Sequence, residues 1–228
     1  MALQKEWKFK KKGNADLITK LSKELNNINP ILSNLLVQRG ITNFEDARNF
    51  FRPDIKKLHD PFLMKDMDIA TERIKQAINN DEKILIYGDY DVDGTSAVAL
   101  VYSFISRLSP NIDFYIPDRD KEGYGISIVG IDYAHQHNFK LIITLDCGTK
   151  AIDKIKYGNE KNIDFIICDH HNEGDSLPDA IAILNPKRTD CQYPYKELSG
   201  CGVGFKLVQA LAEKYKIPFD DIKPLLDL

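Results

Sequence analysis

Apolar positions along the chain follow two successive rhythms. Up to residue 80 they recur every three to four positions, the period of helices lying on a small core. Leu17, Ile18, Leu21 and Leu25 share one face of a helix over 16–25. Pro30 suits the first turn of a second helix over 31–39, and Gly40 suits its stop. Thr42-Asn-Phe-Glu45 reads as a capping box for a third helix ending at Phe51. Arg52-Pro53 and Asp60-Pro61 interrupt the pattern, so 52–66 reads as a tether, and a further amphipathic helix follows over 68–78.

From residue 83 the rhythm changes to short, continuous apolar runs at 83–87, 113–116, 141–145, 165–168 and 180–184. Helical stretches at 95–108, 127–137 and 150–159 separate them, and a last one at 204–216 follows a glycine-rich turn. Runs of this kind divided by helices predict strands buried on both faces of a sheet. The expected fold is α/β, with a doubly wound, mostly parallel sheet over 67–228 and a small helical N-terminal region and tether over 1–66.

Three of the predicted strands end in groups that bind metals. The first runs into Asp89, Asp91 and Asp93, the third into Asp146, and the fourth into Asp169, His170 and His171. Parallel strands deliver their carboxyl ends to one rim, so these groups are expected to converge. Carboxylates so close together repel unless a cation lies among them, and mixed with imidazoles they favour Mn²⁺ or Mg²⁺. Thr95 or Asp93 is expected to cap the helix that follows the first strand. Arg119 offers a two-pronged phosphate contact or a surface ion pair, and Tyr124 stacks a base or marks a turn. Gly200, Gly202 and Gly204 present backbone N–H groups to phosphate or simply allow close packing.

Composition narrows the class. The apolar fraction of 43%, the charged fraction of 29% and the absence of any run of 18 apolar residues describe an ordinary globular chain with no membrane span. Four cysteines without CxxC spacing read as reduced thiols, and the first seven residues lack an apolar signal core, so a cytoplasmic protein is expected. A net charge of −3 argues against a uniformly basic nucleic-acid binder, although setting aside the five expected site aspartates makes the balance positive. Residues 1–25 hold seven lysines against three acids, with Trp7 and Phe9 among them. Such interleaving suits phosphate contact and base stacking, or else a solvated terminus.

Gly88-Asp-Tyr-Asp-Val-Asp-Gly94 together with Asp169-His-His171 resembles the DHH phosphoesterase superfamily. Further segments resemble its branch of 5′→3′ exonucleases specific for single-stranded DNA. They are Asp60 to Met67, Tyr115 to Arg119, Glu122 to Gly125, Leu145 to Gly148, Leu184 to Lys187 and Gly200 to Lys206. The resemblance implies a two-metal phosphodiesterase of DNA repair and recombination, using Mn²⁺ or Mg²⁺. It makes Asp91, Asp93, Asp146 and His170 the ligands, with Asp146 bridging. Asp89 would orient a ligand or the attacking water, Asp169 would hold His170 in its working tautomer, and His171 would contact the scissile phosphate.

The resemblance further implies a monomer acting on single-stranded DNA, with single-strand-binding protein or helicase partners. Members of that branch are much longer and carry another metal-binding aspartate, so the chain is expected to be a truncated piece with little activity alone. Two other readings stay open. One is a phosphoesterase of pyrophosphate or short oligonucleotides, whose members usually open with a different first motif. The other is a non-catalytic DNA-binding relative, which would typically have lost ligands that are present here.

Overall fold

The computed structural model describes residues 6–228. Residues 1–5, on which part of the lysine-rich run and of the reading against an export signal falls, lie outside the described residues. The chain divides into two compact units, one ending at Leu58 and one covering His59–Leu228.

The first unit holds three short helices, each capped by an asparagine. Asn14 accepts from the backbone of Asp16 and Leu17 to start α1 (Ala15–Glu24), and Asn29 caps α2 (Pro30–Val37) with Pro30 in its first turn. Asn43 caps α3 (Phe44–Phe51). That cap lies one residue beyond the expected Thr42, because Asn43 and Asp46 bond reciprocally: Asp46 N donates to Asn43 Oδ1 at 2.9 Å and Asn43 Nδ2 to Asp46 Oδ2 at 2.7 Å. Leu21, Leu36 and Ala47 form the small core.

The second unit opens with α4 (Met67–Asn79) and alternates thereafter. Its elements are β1 (Lys83–Gly88), α5 (Val92–Ile105), β2 (Ile112–Tyr115), α6 (Ile128–Gln136), β3 (Phe139–Leu145), α7 (Ile152–Glu160), β4 (Asp164–Cys168), β5 (Ala182–Leu184), α8 (Gly200–Lys214) and α9 (Phe219–Ile222). Every strand pair is parallel, in the order β2-β1-β3-β4-β5. Right-handed crossovers then dictate the layers. The chain moves outward from β1 to β2 and returns past β1 to β3, which puts α5 on one face with α4 and α8, and α6 with α7 on the other. The reversal leaves a topological switch point between β1 and β3, where ligands bind in folds of this order. The apolar runs of the central strands are buried, with only Lys83 and Lys140 exposed and Asp164 half-buried, as strands covered on both faces require. Among the described residues no helix is long and apolar enough to cross a membrane.

Residues 59–66, read from the sequence as the end of a tether, pack with the second unit. Pro61 and Met64 are buried there, and Lys206 Nζ donates to the His59 carbonyl at 2.7 Å. Asp66 accepts from the Ile183 amide and from Arg188 Nη1, the latter at 2.6 Å. Arg188 is buried, forks onto Asp190 at 2.9 Å through two nitrogens and donates to the Ile183 carbonyl at 2.7 Å. Arg188→Met should therefore strand Asp66 and one edge-strand carbonyl. Because Asp190 is half exposed, the expected loss of stability is about 3 kcal/mol, the low end for breaking a buried pair. Urea denaturation at constant slope measures it, and a change below about 0.5 kcal/mol would contradict the assignment.

Candidate metal centre

Three aspartates form a staircase at the carboxyl ends of the strands. Each stands one residue past its strand and extends the ladder by its own amide: Asp89 N donates to Leu145 O, Asp146 N to Cys168 O and Asp169 N to Leu184 O, at 3.3, 2.9 and 3.0 Å. Their side chains are thereby fixed over the switch point by backbone hydrogen bonds. The strand ends thus meet at one rim, as parallel pairing requires.

The acids following β1 separate in role. Asp91, not Asp93 or Thr95, caps α5: its Oδ1 accepts from Asp93 N and Gly94 N at 3.0 Å each. Thr95 Oγ1 instead bonds back to the Asp91 carbonyl at 2.7 Å. Asp93 lies in the first turn of α5 and reaches the start of α8, where its two oxygens accept from Gly200 N and Cys201 N at 2.7 Å each. Asp89 is fully buried; Oδ1 accepts from Gly125 N at 3.1 Å and Oδ2 has no partner.

Asp146 is the most constrained member. It is buried, adopts a left-handed φ of +60°, and leaves Oδ1 without a hydrogen-bond partner. His170 Nε2 lies 3.1 Å from that oxygen, out of hydrogen-bond alignment, and 3.7 Å from Asp93 Oδ2. Burial, reinforced by the charges of Asp93 and Asp91, pushes the Asp146 carboxyl up to about 8. Donor atoms of Asp146, His170 and His171 lie within 4.8 Å of one another. A buried orphan oxygen in a crowd of carboxylates and imidazoles fits a hard or borderline divalent cation, which would relieve both the repulsion and the lost hydrogen bond.

Asp169 corrects one expectation. Its carboxylate takes the ring of His171 rather than that of His170: His171 Nδ1 and Asp169 Oδ1 are 2.7 Å apart. From His170 Asp169 receives only the backbone amide, at 2.7 Å. Burial works to raise the Asp169 pKa, but hydrogen bonds from His171 and Thr149 override it and hold the group well below the usual carboxylate range. The same contact raises the His171 pKa.

Tyr124 stands at the rim with its hydroxyl 3.2 Å from His171 Nε2 and 3.3 Å from the Asp146 carbonyl. Burial and then the charges of Asp146 and Asp89 raise its pKa, keeping the phenol protonated. Glu122, whose part the sequence did not reveal, holds the loop carrying Tyr124 by accepting from Tyr115 Oη at 2.9 Å, Ser127 Oγ at 2.5 Å and Asp118 N at 2.8 Å. Arg119 is exposed, with its guanidinium 5.3 Å from the centre of the Tyr90 ring, and Tyr90 meets Tyr124 edge-on.

Of the two readings of the glycine-rich run, the structure favours close packing over free amides offered to phosphate. The run is the first turn of α8 itself, and its N–H groups already have acceptors. Ser199 Oγ takes the Gly202 amide, Asp93 takes those of Gly200 and Cys201, and Gly204 packs against Val101 and Leu145 inside the helix. The indispensable member is Gly200, where a Cβ would lie 2.5 Å from Asp146 Cβ. Only its place in the run hinted at this.

The model of the DHH family, N-terminal domain, matches residues 83–228. The single-stranded-DNA-specific exonuclease RecJ of Bacillus subtilis (strain 168) is 44% identical over 211 residues, which are 92% of this chain and 27% of that protein. The chain thus spans about a quarter of the length of this relative. A crystal structure of exonuclease RecJ bound to manganese shares 28% identity at a TM-score of 0.62, covering 68% of this chain and 39% of its own. RecJ from Thermus thermophilus in complex with Mn²⁺ has the same fold, with a TM-score of 0.69 and 21% identity over 90% of this chain and 28% of its own. Since the matched segment carries the whole staircase from Asp89 to Asp169, together with the start of α8, this chain belongs to the DHH family.

Proposed function

We propose that the chain is part of the catalytic core of a metal-dependent phosphodiesterase that degrades single-stranded DNA from its 5′ end in the cytoplasm. The observation that supports this most is the buried, unpartnered Oδ1 of Asp146 facing His170 among further carboxylates at the switch point. The manganese-bound exonuclease structure at 28% identity supports the choice of ion. Asp91, Asp93, Asp146 and His170 would hold Mn²⁺ or Mg²⁺, with Asp146 central to the set. Bound ions of this kind supply Lewis-acid activation of water and neutralise charge at phosphorus.

The chain's own groups do the rest. Asp93, fixed by two amides of α8, keeps its carboxylate aimed at His170. Asp89 binds the amide of Gly125, beside Tyr124, and so sets the rim of the site. Asp169 fixes the His171 ring so that Nε2 faces Tyr124, and from there His171 would contact the scissile phosphate. Arg119 and Tyr124 contact the strand at the rim, through a phosphate and a base respectively. The amides of Gly202 and Gly204 are not part of this reading, since they are engaged within α8.

Hydrolysis in the full-length natural protein tests the proposal. With Mn²⁺ or Mg²⁺, long 5′-labelled single strands should release mononucleotides, duplexes should resist, and EDTA should stop the reaction. Faster hydrolysis of dinucleotides or pyrophosphate would replace it with a small-substrate phosphoesterase. Strand binding with no hydrolysis of any substrate would leave a non-catalytic DNA-binding relative. Asp169→Asn should lower kcat by about 10–100-fold with little change in KM, the range expected when the group orienting a site histidine is lost. A KM rise at constant kcat would assign Asp169 to strand binding instead.

A further inference from the structure

The N-terminal unit carries a feature that the hydrolytic site does not use. Residues 6–14 take neither helix nor turn. Within them Trp7 is 97% and Phe9 104% exposed, the two most exposed large apolar side chains among the described residues. Each ring carries about 150–250 Å² of surface that water solvates poorly. The remaining side chains of 6–12 are four lysines and Glu6, which pairs with Lys8 at 3.0 Å in an exposed contact of little strength.

The base of this run is built rather than loose. Lys10 Nζ donates to the Gln38 carbonyl at 3.2 Å, Gln38 Nε2 donates to the Lys11 carbonyl at 2.6 Å, and Gly13 N donates to Asn34 Oδ1 at 2.8 Å. At Gly13 a Cβ would sit 2.6 Å from Val37 Cγ1, so only glycine lets the run pass so close to α2. The run is pinned at residues 10–13, and the two rings beyond stand in water.

In an extended chain alternate side chains share a side about 6.5 Å apart, so an extended run would bring rings 7 and 9 to one side. By the same alternation Lys11 would share their side and Lys8 and Lys12 the other, so positive charge flanks the rings along the run. No aliphatic side chain lies between residues 6 and 12, so the run lacks the branched apolar residues a protein groove usually selects. Aromatic faces alternating with cations are the arrangement that stacks bases and neutralises phosphates without reading sequence.

We propose that residues 7–12 form a second, sequence-independent contact for single-stranded nucleic acid. Trp7 and Phe9 stack on bases while Lys8, Lys11 and Lys12 meet phosphates. The proposal rests on the reading above only in taking a single strand as the ligand.

Trp7 is the only tryptophan of the chain, so its emission reports the arm directly. The test is titration of the 228-residue chain with an oligothymidylate strand in EDTA, which prevents hydrolysis. Trp7 emission should be quenched with the midpoint given by the anisotropy of a labelled strand. Trp7→Ala and Phe9→Ala should each weaken binding about tenfold, within the range for loss of one base–aromatic stack. Lys11→Gln should lower the slope of log affinity against log salt by about 0.7, one phosphate contact on a single strand. Because both rings are fully exposed, the variants should keep the wild-type circular dichroism.

Binding of the strand without quenching, and undiminished in both variants, overturns the proposal and leaves the nuclease reading untouched. Equal quenching by duplex or heparin would make the arm a general polyanion surface and overturn the stacking claim. Emission that shifts with protein concentration alone would make it a contact between copies and overturn it. Absence of any strand binding also overturns it. Intact quenching with no Mn²⁺-dependent hydrolysis in the full-length protein would instead remove the nuclease reading and leave the arm standing.

Discussion

If the proposed phosphodiesterase reading holds, Asp146→Asn in the full-length protein should abolish metal-dependent hydrolysis, by about a thousandfold or more, which is about 4 kcal/mol of lost transition-state stabilisation. The same change should leave the metal-free protein at least as stable as the wild type. Asparagine matches aspartate in size and tolerates the left-handed φ of +60° that the position requires. What it removes is the charge, and here the charge is a burden without a cation. Asp146 is buried, its Oδ1 has no hydrogen-bond partner, and with Asp93 and Asp91 nearby its carboxyl is pushed up to about 8. Added Mn²⁺ should raise the melting temperature of the wild type by mass action and that of the variant far less. Equal Mn²⁺ stabilisation of the two proteins, or residual turnover above about a tenth of wild type, would remove Asp146 from the centre of the site.

The features legible in the sequence were those that local chemistry determines. The three central strands, β1, β3 and β4, were visible because parallel strands covered on both faces carry nearly continuous apolar runs, and their ends were marked by Asp89, Asp146 and Asp169. Convergence of those ends followed from parallel pairing alone. Choices between near-equivalent neighbours were not legible. Asp91 caps α5 because of where the strand exit points it, and three aspartates at alternate positions offer no local means of choosing. Asp169 could hold either adjacent histidine, and the turn after β4 brings the ring of His171 to it. The start of α8 was hidden for another reason. Three glycines in five residues look like a turn, and they are helical because Asp93, more than a hundred residues earlier, accepts the first two amides of α8.

That long-range contact makes Gly200 the position where the smallest change should do the most harm. On the proposed reading, Gly200→Ala in the full-length protein should cost about a hundredfold or more in activity and a comparable factor in Mn²⁺ affinity, with little loss of fold. The added Cβ would lie 2.5 Å from Asp146 Cβ and 2.6 Å from its Cγ and Oδ1. Asp146 has little room to yield, since its amide is bonded to Cys168 O and its backbone already sits at φ +60°. Either Asp146 rotates away from His170, or the first turn of α8 lifts and withdraws the Gly200 and Cys201 amides from Asp93. Both routes spread the ligand set, and sites of this kind lose activity steeply with displacements near 1 Å. Stability should change less, because alanine is the better helix former by about 0.5–1 kcal/mol and offsets part of the strain. Gly202→Ala supplies the control two residues away in the same turn. Its Cβ would meet the Leu198 side chain at 3.3 Å and Ser199 Oγ at 3.5 Å, within reach of a small side-chain shift, and its amide would keep the bond to Ser199 Oγ. That variant should retain near-wild-type turnover and melt at the same temperature or slightly higher. Matching activities for the two variants would show that the close approach of α8 to Asp146 is not what holds the centre together.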